Sequence, residues 1–161
     1  ARRQRQMCIR DRACLAAGAH HALNYRDTDF EADIREATQG AGVDVILDMV
    51  GGRYINKNIR LLAVNGRLVQ IAFLEGSKAE IDALPIMTKR LSFTGSTLRP
   101  RSDEDKGAIA QSLADKVLPL MEQGQCLPRI HAVFPLARAN EAHALMESSA
   151  HIGKIMLQVQ A

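Results

Sequence analysis

The stretch GVDVILDMVGG, Gly42–Gly52, decides how this chain folds. Val43, Val45, Ile46, Leu47 and Val50 are too β-branched, and the apolar run too short, for a helix of its own. The segment 43–50 therefore reads as a mostly buried strand. Gly51 and Gly52 stop it. A helix from about Tyr54 to Ala63 follows, with Ile55, Ile59 and Leu62 as its apolar stripe, closed by Asn65 and Gly66. RLVQIAF, 67–73, is the next strand.

The same alternation extends in both directions. On the N-terminal side, ACLAAGA is the tail of a helix stopped by Gly18, and HALNY, 21–25, is a short strand. FEADIREA carries Phe30, Ile34 and Ala37 on one helix face, and Thr28 and Glu31 have the spacing of a capping box. On the C-terminal side, a helical turn around Ile86 leads into the strand LSFTGSTL, 91–98. The segment 103–123 spaces Ile109, Leu113, Val117 and Met121 by four, an amphipathic helix that Pro119 should kink. A strand, a helix at about 138–148 and a closing strand at about 153–159 complete the chain. Strands alternating with helices predict an α/β fold with right-handed βαβ units and a parallel sheet. Ligands of such sheets bind at the carboxyl ends of the strands. Here those ends are Gly51-Gly52, Phe73-Leu74 with Gly76, and Gly95-Ser96-Thr97. Paired glycines after a strand are, taken singly, most often plain turn residues.

Composition narrows the function classes. With 47% hydrophobic and 24% charged residues over 161 positions, the chain has the make-up of a globular domain. No apolar run approaches the roughly 20 residues of a membrane span, and no apolar stretch follows the basic start as in a signal peptide. A cytoplasmic location is expected, and no membrane partner. Cys14 and Cys126 lie far apart and read as lone thiols, and the histidines lack metal-ligand spacing. His131, His143 and His151 read as surface or helix-face histidines.

The net charge of +3 is concentrated in RRQRQMCIRDR, Arg2–Arg12, which has no aromatic residue. A nucleic-acid footprint would spread over a folded face, so a nucleic-acid partner is not the expected reading. Written backwards into codons, Arg2–Asp11 resembles a transposase adapter used in DNA sequencing, so residues 1–12 are read as an adapter scar. A natural basic tail is the alternative.

Read in order, ALNYRDTDF, GVDVILDMVGG, NIRLLAVNGRLVQIAFLEG, TGSTLRPRSD, VFPL and EAHALMESSAHIGKIML resemble the second half of the zinc-independent NADPH:quinone oxidoreductases. These belong to the medium-chain dehydrogenase/reductase superfamily, and the likeness is strongest to the p53-inducible branch, over about Cys14 to Val159. The resemblance implies a partial Rossmann fold, a doubly wound parallel sheet lacking its first two strands, over residues 13–126. Residues 127–161 would be the returning segment of a GroES-like catalytic domain. In the strand order 3-2-1-4-5-6, HALNY would be strand three and VDVILDMV strand four, so strand four would carry an open apolar edge.

The resemblance also implies hydride transfer from NADPH, with NADH not excluded and no zinc, to a quinone or enone. Tyr25 matches the tyrosine near the adenosine 2′-phosphate, or else packs its ring at a strand end. Gly51 and Gly52 match the turn beside the cofactor. Ile71, Ala72 and Phe73 match the strand end under the nicotinamide ribose, although Ile71 reads equally as core. Ser96, Thr97 and Leu98 match the segment that meets the carboxamide. Lys154 either reaches the cofactor or caps the final strand. No residue takes a catalytic role. The strand LSFTGSTL resembles the edge through which the family forms homodimers. Taken alone, the chain is expected to be inactive. An enoyl or alkenal reductase is the nearest alternative, and a non-enzymatic NADPH- or RNA-binding protein the alternative of another class.

Overall fold

A computed structural model describes residues 10–24 and 28–159. Two compact units divide the chain: Leu23–Ser102, and Ala1–Ala22 with Asp103–Ala161.

In the unit 23–102 the elements run α1 (Phe30–Ala37), β1 (Val43–Asp48), α2 (Tyr54–Leu61), β2 (Leu62–Gln70), α3 (Leu84–Thr88) and β3 (Ser92–Gly95). The strands form a parallel sheet in the order β1-β2-β3, with Ile46 opposite Leu68, Asp48 opposite Gln70, and Gln70 opposite Gly95. Residues paired across parallel strands share a face, so Ile46 and Leu68 point to one side. There the stripe expected on α2 packs against them, and Ile55, Ile59, Leu62 and Leu68 form the core, flanked by Val43, Ile46, Ala79, Ile86 and Leu91. Burying each such side chain contributes about 1.5–3 kcal/mol.

Several local expectations change. VDVILDMV is not mostly buried: Val45 is 51% and Leu47 63% exposed, because β1 ends the sheet and the face bearing these two residues lies open. The capping box does not form. Thr28 donates its hydroxyl to the Asn24 carbonyl, while Glu31 accepts two hydrogen bonds from Arg60, at 2.9 and 2.7 Å, and so ties α1 to α2. Helix α2 ends at Leu61, before Asn65 and Gly66, because Leu62 turns extended (ψ 140°) and Lys89 Nζ takes up the terminal carbonyls of Arg60 and Leu62. Asn65 (φ 63°) and Gly66 form an irregularity within β2 instead. Residues 21–24 are not a strand, since no neighbouring strand offers a ladder to pair with.

In the other unit, residues 10–16 are helical, and residues 1–9 lie outside the described set. Then come α4 (Asp103–Lys116), α5 (Leu118–Glu122), β4 (Ile130–Pro135), a 3-10 turn (Leu136–Arg138), α6 (Ala139–Glu147) and β5 (Lys154–Gln158), with β4 and β5 parallel. Pro119 does break the long helix, and α5 begins beside it. The apolar stripe of α4 is not buried: Ile109 is 38% and Leu113 50% exposed, with Val117 and Met121 half-buried. Among the described residues of this unit only Ala142 is fully buried. Cys14 and Cys126 are free and exposed. Among the described residues no helix is long and apolar enough to cross a membrane.

Candidate functional site

Because the three strands of the unit 23–102 are parallel, their carboxyl ends share one edge, and main-chain hydrogen bonds bind the loops leaving them. Ile71 N–H donates to the Asp48 carbonyl (2.8 Å), Leu74 N–H to that of Met49 (3.1 Å), and Glu75 N–H to that of Val50 (2.8 Å). Gly52 N–H donates to the Gly76 carbonyl (2.8 Å), and Ser96 N–H to that of Gln70 (3.0 Å). Gly51, Gly52, Ile71, Ala72, Phe73, Ser96, Thr97 and Leu98 thus come together along this edge. Tyr25 lies outside the described residues. Lys154 begins β5 in the other unit, exposed, with its N–H donating to the Arg129 carbonyl at 2.8 Å.

The two glycines have a structural reason of their own. Gly51 (φ 71°) and Gly52 (φ 53°) occupy the left-handed region. A Cβ on Gly51 would come within 2.7 Å of the Gly76 carbonyl oxygen and of Phe73, and one on Gly52 within 2.9 Å of the Glu75 carbonyl oxygen. Loop-on-loop packing therefore accounts for both. The apolar members of the edge face outward: Ile71 is 40%, Phe73 48% and Leu98 56% exposed, so Ile71 is not core. Ser96 and Thr97 add exposed hydroxyls beside them.

Beneath the edge lies a buried polar group that the spacing arguments overlooked. The Asp48 carboxylate, on a residue only 5% exposed, accepts from Val50 N–H (2.6 Å), Gly51 N–H (3.2 Å) and Asn58 Nδ2 (3.1 Å), which fixes the glycine turn. Gln70 Nε2 donates to the Asp48 carbonyl (3.2 Å) and the Ala72 carbonyl (2.6 Å). The signals were an Asp two and three residues before the turn amides it caps and a Gln closing an apolar strand. At the rim Arg53 donates to the Tyr54 hydroxyl (3.2 Å) and pairs with Glu75 (3.5 Å). The Tyr54 hydroxyl, then Glu75, hold the Arg53 guanidinium above its ordinary pKa.

A hollow of about 200 Å³ flanks β1, lined by Phe30, Ile46, Leu47, Asp48, Val50, Tyr54 and Asn58. Ile46 and Leu47 point to opposite faces, yet both line it, so the hollow follows the open edge of the strand.

Over residues 17–157 the sequence matches the zinc-binding dehydrogenase family. It is 27% identical to quinone oxidoreductase-like protein 2 of Bos taurus (91% of this chain, 42% of the relative) and 31% identical to the quinone oxidoreductase of Sus scrofa (89% and 42%). Among solved structures, the JamJ enoyl reductase in its apo form superposes with a TM-score of 0.72 at 28% identity (92% of this chain, 44% of that one). The chain thus spans about two fifths of the length of these relatives. The family description names zinc, but among the described residues no three His, Cys, Asp or Glu side chains converge. The described residues therefore do not fit a zinc centre. The match over nearly the whole chain, the parallel α/β sheet and the named relatives lead to one conclusion: the chain belongs to the zinc-binding dehydrogenase family, in the medium-chain dehydrogenase/reductase superfamily.

Proposed function

We propose that this chain is the nicotinamide-side part of an oxidoreductase that passes a hydride from NADPH to a quinone or activated alkene. The observation that carries the reading is the outward apolar shelf of Ile71, Phe73 and Leu98, set beside the Ser96 and Thr97 hydroxyls at the carboxyl ends of tied parallel strands. A nicotinamide ring needs that combination of a flat apolar support and hydrogen-bonding groups for its carboxamide. When bound, the cofactor supplies the hydride. The chain's part is to support the ring, orient it through Thr97, and keep water from that face. Gly51 and Gly52 shape the shelf by letting the loops close on one another. Residues 13–126 are assigned to the cofactor domain and 127–161 to a returning catalytic segment. By resemblance the cofactor is NADPH, with NADH not excluded, and zinc-independence, a cytoplasmic location and a homodimer through β3 rest on the same resemblance. An enoyl reductase is the second reading, favoured by the likeness to the JamJ enzyme.

The test is a chimera in which residues 13–161 replace the matching segment of the Sus scrofa quinone oxidoreductase. A soluble, folded chimera should oxidise NADPH with a quinone acceptor and lose most of that activity on Phe73→Asp. A folded chimera that binds no dinucleotide contradicts the reading, and one that reduces only enoyl thioesters supports the second. The 161-residue chain by itself should show no micromolar NADPH binding by calorimetry and no quinone-dependent NADPH oxidation.

A further inference from the structure

Gln70 closes the middle strand of the sheet and is 5% exposed. A buried amide is destabilising unless its groups are bonded, and an aliphatic side chain would fill the place more simply. What Gln70 does there is touch all three strand ends. Its Nε2 donates to the Asp48 carbonyl at the end of β1 (3.2 Å) and to the Ala72 carbonyl in its own loop (2.6 Å). Its main-chain carbonyl accepts from Ser96 N–H beyond β3 (3.0 Å). The amide cannot be turned over, since exchanging its ends would set Oε1 against two carbonyl oxygens. Oε1 therefore faces the other way, buried, with no donor among the described residues. What the buried amide provides there is the hold on two loop carbonyls, which an aliphatic side chain could not supply.

We infer that Gln70 is the positioning residue of the shelf: by clasping the Asp48 and Ala72 carbonyls it sets the height of Ile71–Phe73 before a ring arrives. The inference rests on the reading of this edge as the nicotinamide shelf. Ala72 is the point of control, because its carbonyl is held from below while Ile71 and Phe73 on either side face outward.

The experiment uses the 15N-labelled 161-residue chain, with reduced nicotinamide mononucleotide as probe and amide exchange as a second readout. In Gln70→Met, which keeps shape and loses the donor, the amides of Ile71, Leu74 and Ser96 should exchange faster, and the mononucleotide should bind roughly tenfold more weakly. In Gln70→Glu the ionised carboxylate repels both carbonyls, whereas its protonated form regains a donor. Lowering the pH from about 8 to about 5.5 should then recover binding and protection from exchange, measured relative to the intrinsic amide rate at each pH, whereas the protection of the unsubstituted chain stays constant over that range. Should Gln70→Met not fold, the Gln70→Glu profile alone decides. Unchanged exchange in Gln70→Met, or a Gln70→Glu variant indifferent to pH, overturns the inference. If the unsubstituted chain binds no mononucleotide while both exchange effects appear, the shelf reading fails and the positioning role stands.

Discussion

At Gly51 the backbone and the neighbouring loop make the same demand: φ is 71°, and the Gly76 carbonyl oxygen stands 2.7 Å from where a Cβ would be. Gly51→Ala should lower stability by about 2–3 kcal/mol, read as a fall in the urea midpoint at constant slope. Gly76→Ala is the contrast. It has positive φ (104°) but nothing within 4 Å, so it should lose only about 1 kcal/mol. Glu31 offers a pH test. The Arg60 hydrogen bonds hold its carboxyl below the usual 4.5. A depressed folded pKa means a contribution fully present above the ordinary value and lost as pH falls through the folded one. Glu31→Gln should therefore lower the melting temperature slightly at neutral pH and converge with the parent chain in acid below about pH 4.5; the part-exposed pair is worth under about 1 kcal/mol. The glycines, Phe73, Ser96 and Thr97 were legible from their places after strands, whereas Ile71, Ala72 and Leu98 entered only through the family resemblance. Asp48 and Gln70 were not, because one polar residue in an apolar strand is visible as a hydrogen-bonding hub only when its partners are.

The elements that could be read from local pattern were those decided locally. The β-branched run of β1, the stripe Ile55, Ile59, Leu62 and the break at Pro119 all depend on neighbours a few residues away. Leu68 is completely buried among them, and Leu68→Ala should cost about 3–4 kcal/mol in the unit 23–102, measured by chemical denaturation. Tertiary partners decided the rest. Residues 21–24 lack a strand to pair with, and Lys89 rather than Asn65 and Gly66 finishes α2. The stripe of α4 repeats every fourth residue as a buried face would, yet Leu113 is 50% exposed. Periodicity names the face that could be buried, and only a packing partner buries it.

Across the whole chain, apolar surface remains open where the sheet ends. Leu47 is 63% exposed and borders the hollow along β1, the side on which a further strand would add. An open apolar edge invites pairing with other chains. Leu47→Lys should therefore reduce aggregation, measured by light scattering on warming, and change folding stability by less than about 0.5 kcal/mol. The strand order that the resemblance implies predicts the open edge of β1, whereas nothing in the sequence marks the hollow that wraps it, since Ile46 and Leu47 line it from opposite faces.

The proposed function places a nicotinamide ring on one edge of this sheet. The most direct measurement is a titration of the 15N-labelled chain with reduced nicotinamide mononucleotide, with 2′,5′-ADP as the control. Saturating amide shifts confined to residues 71–74 and 96–98 are expected at millimolar mononucleotide, and none with the control. Shifts scattered over the chain, or absent from those two segments, would contradict it.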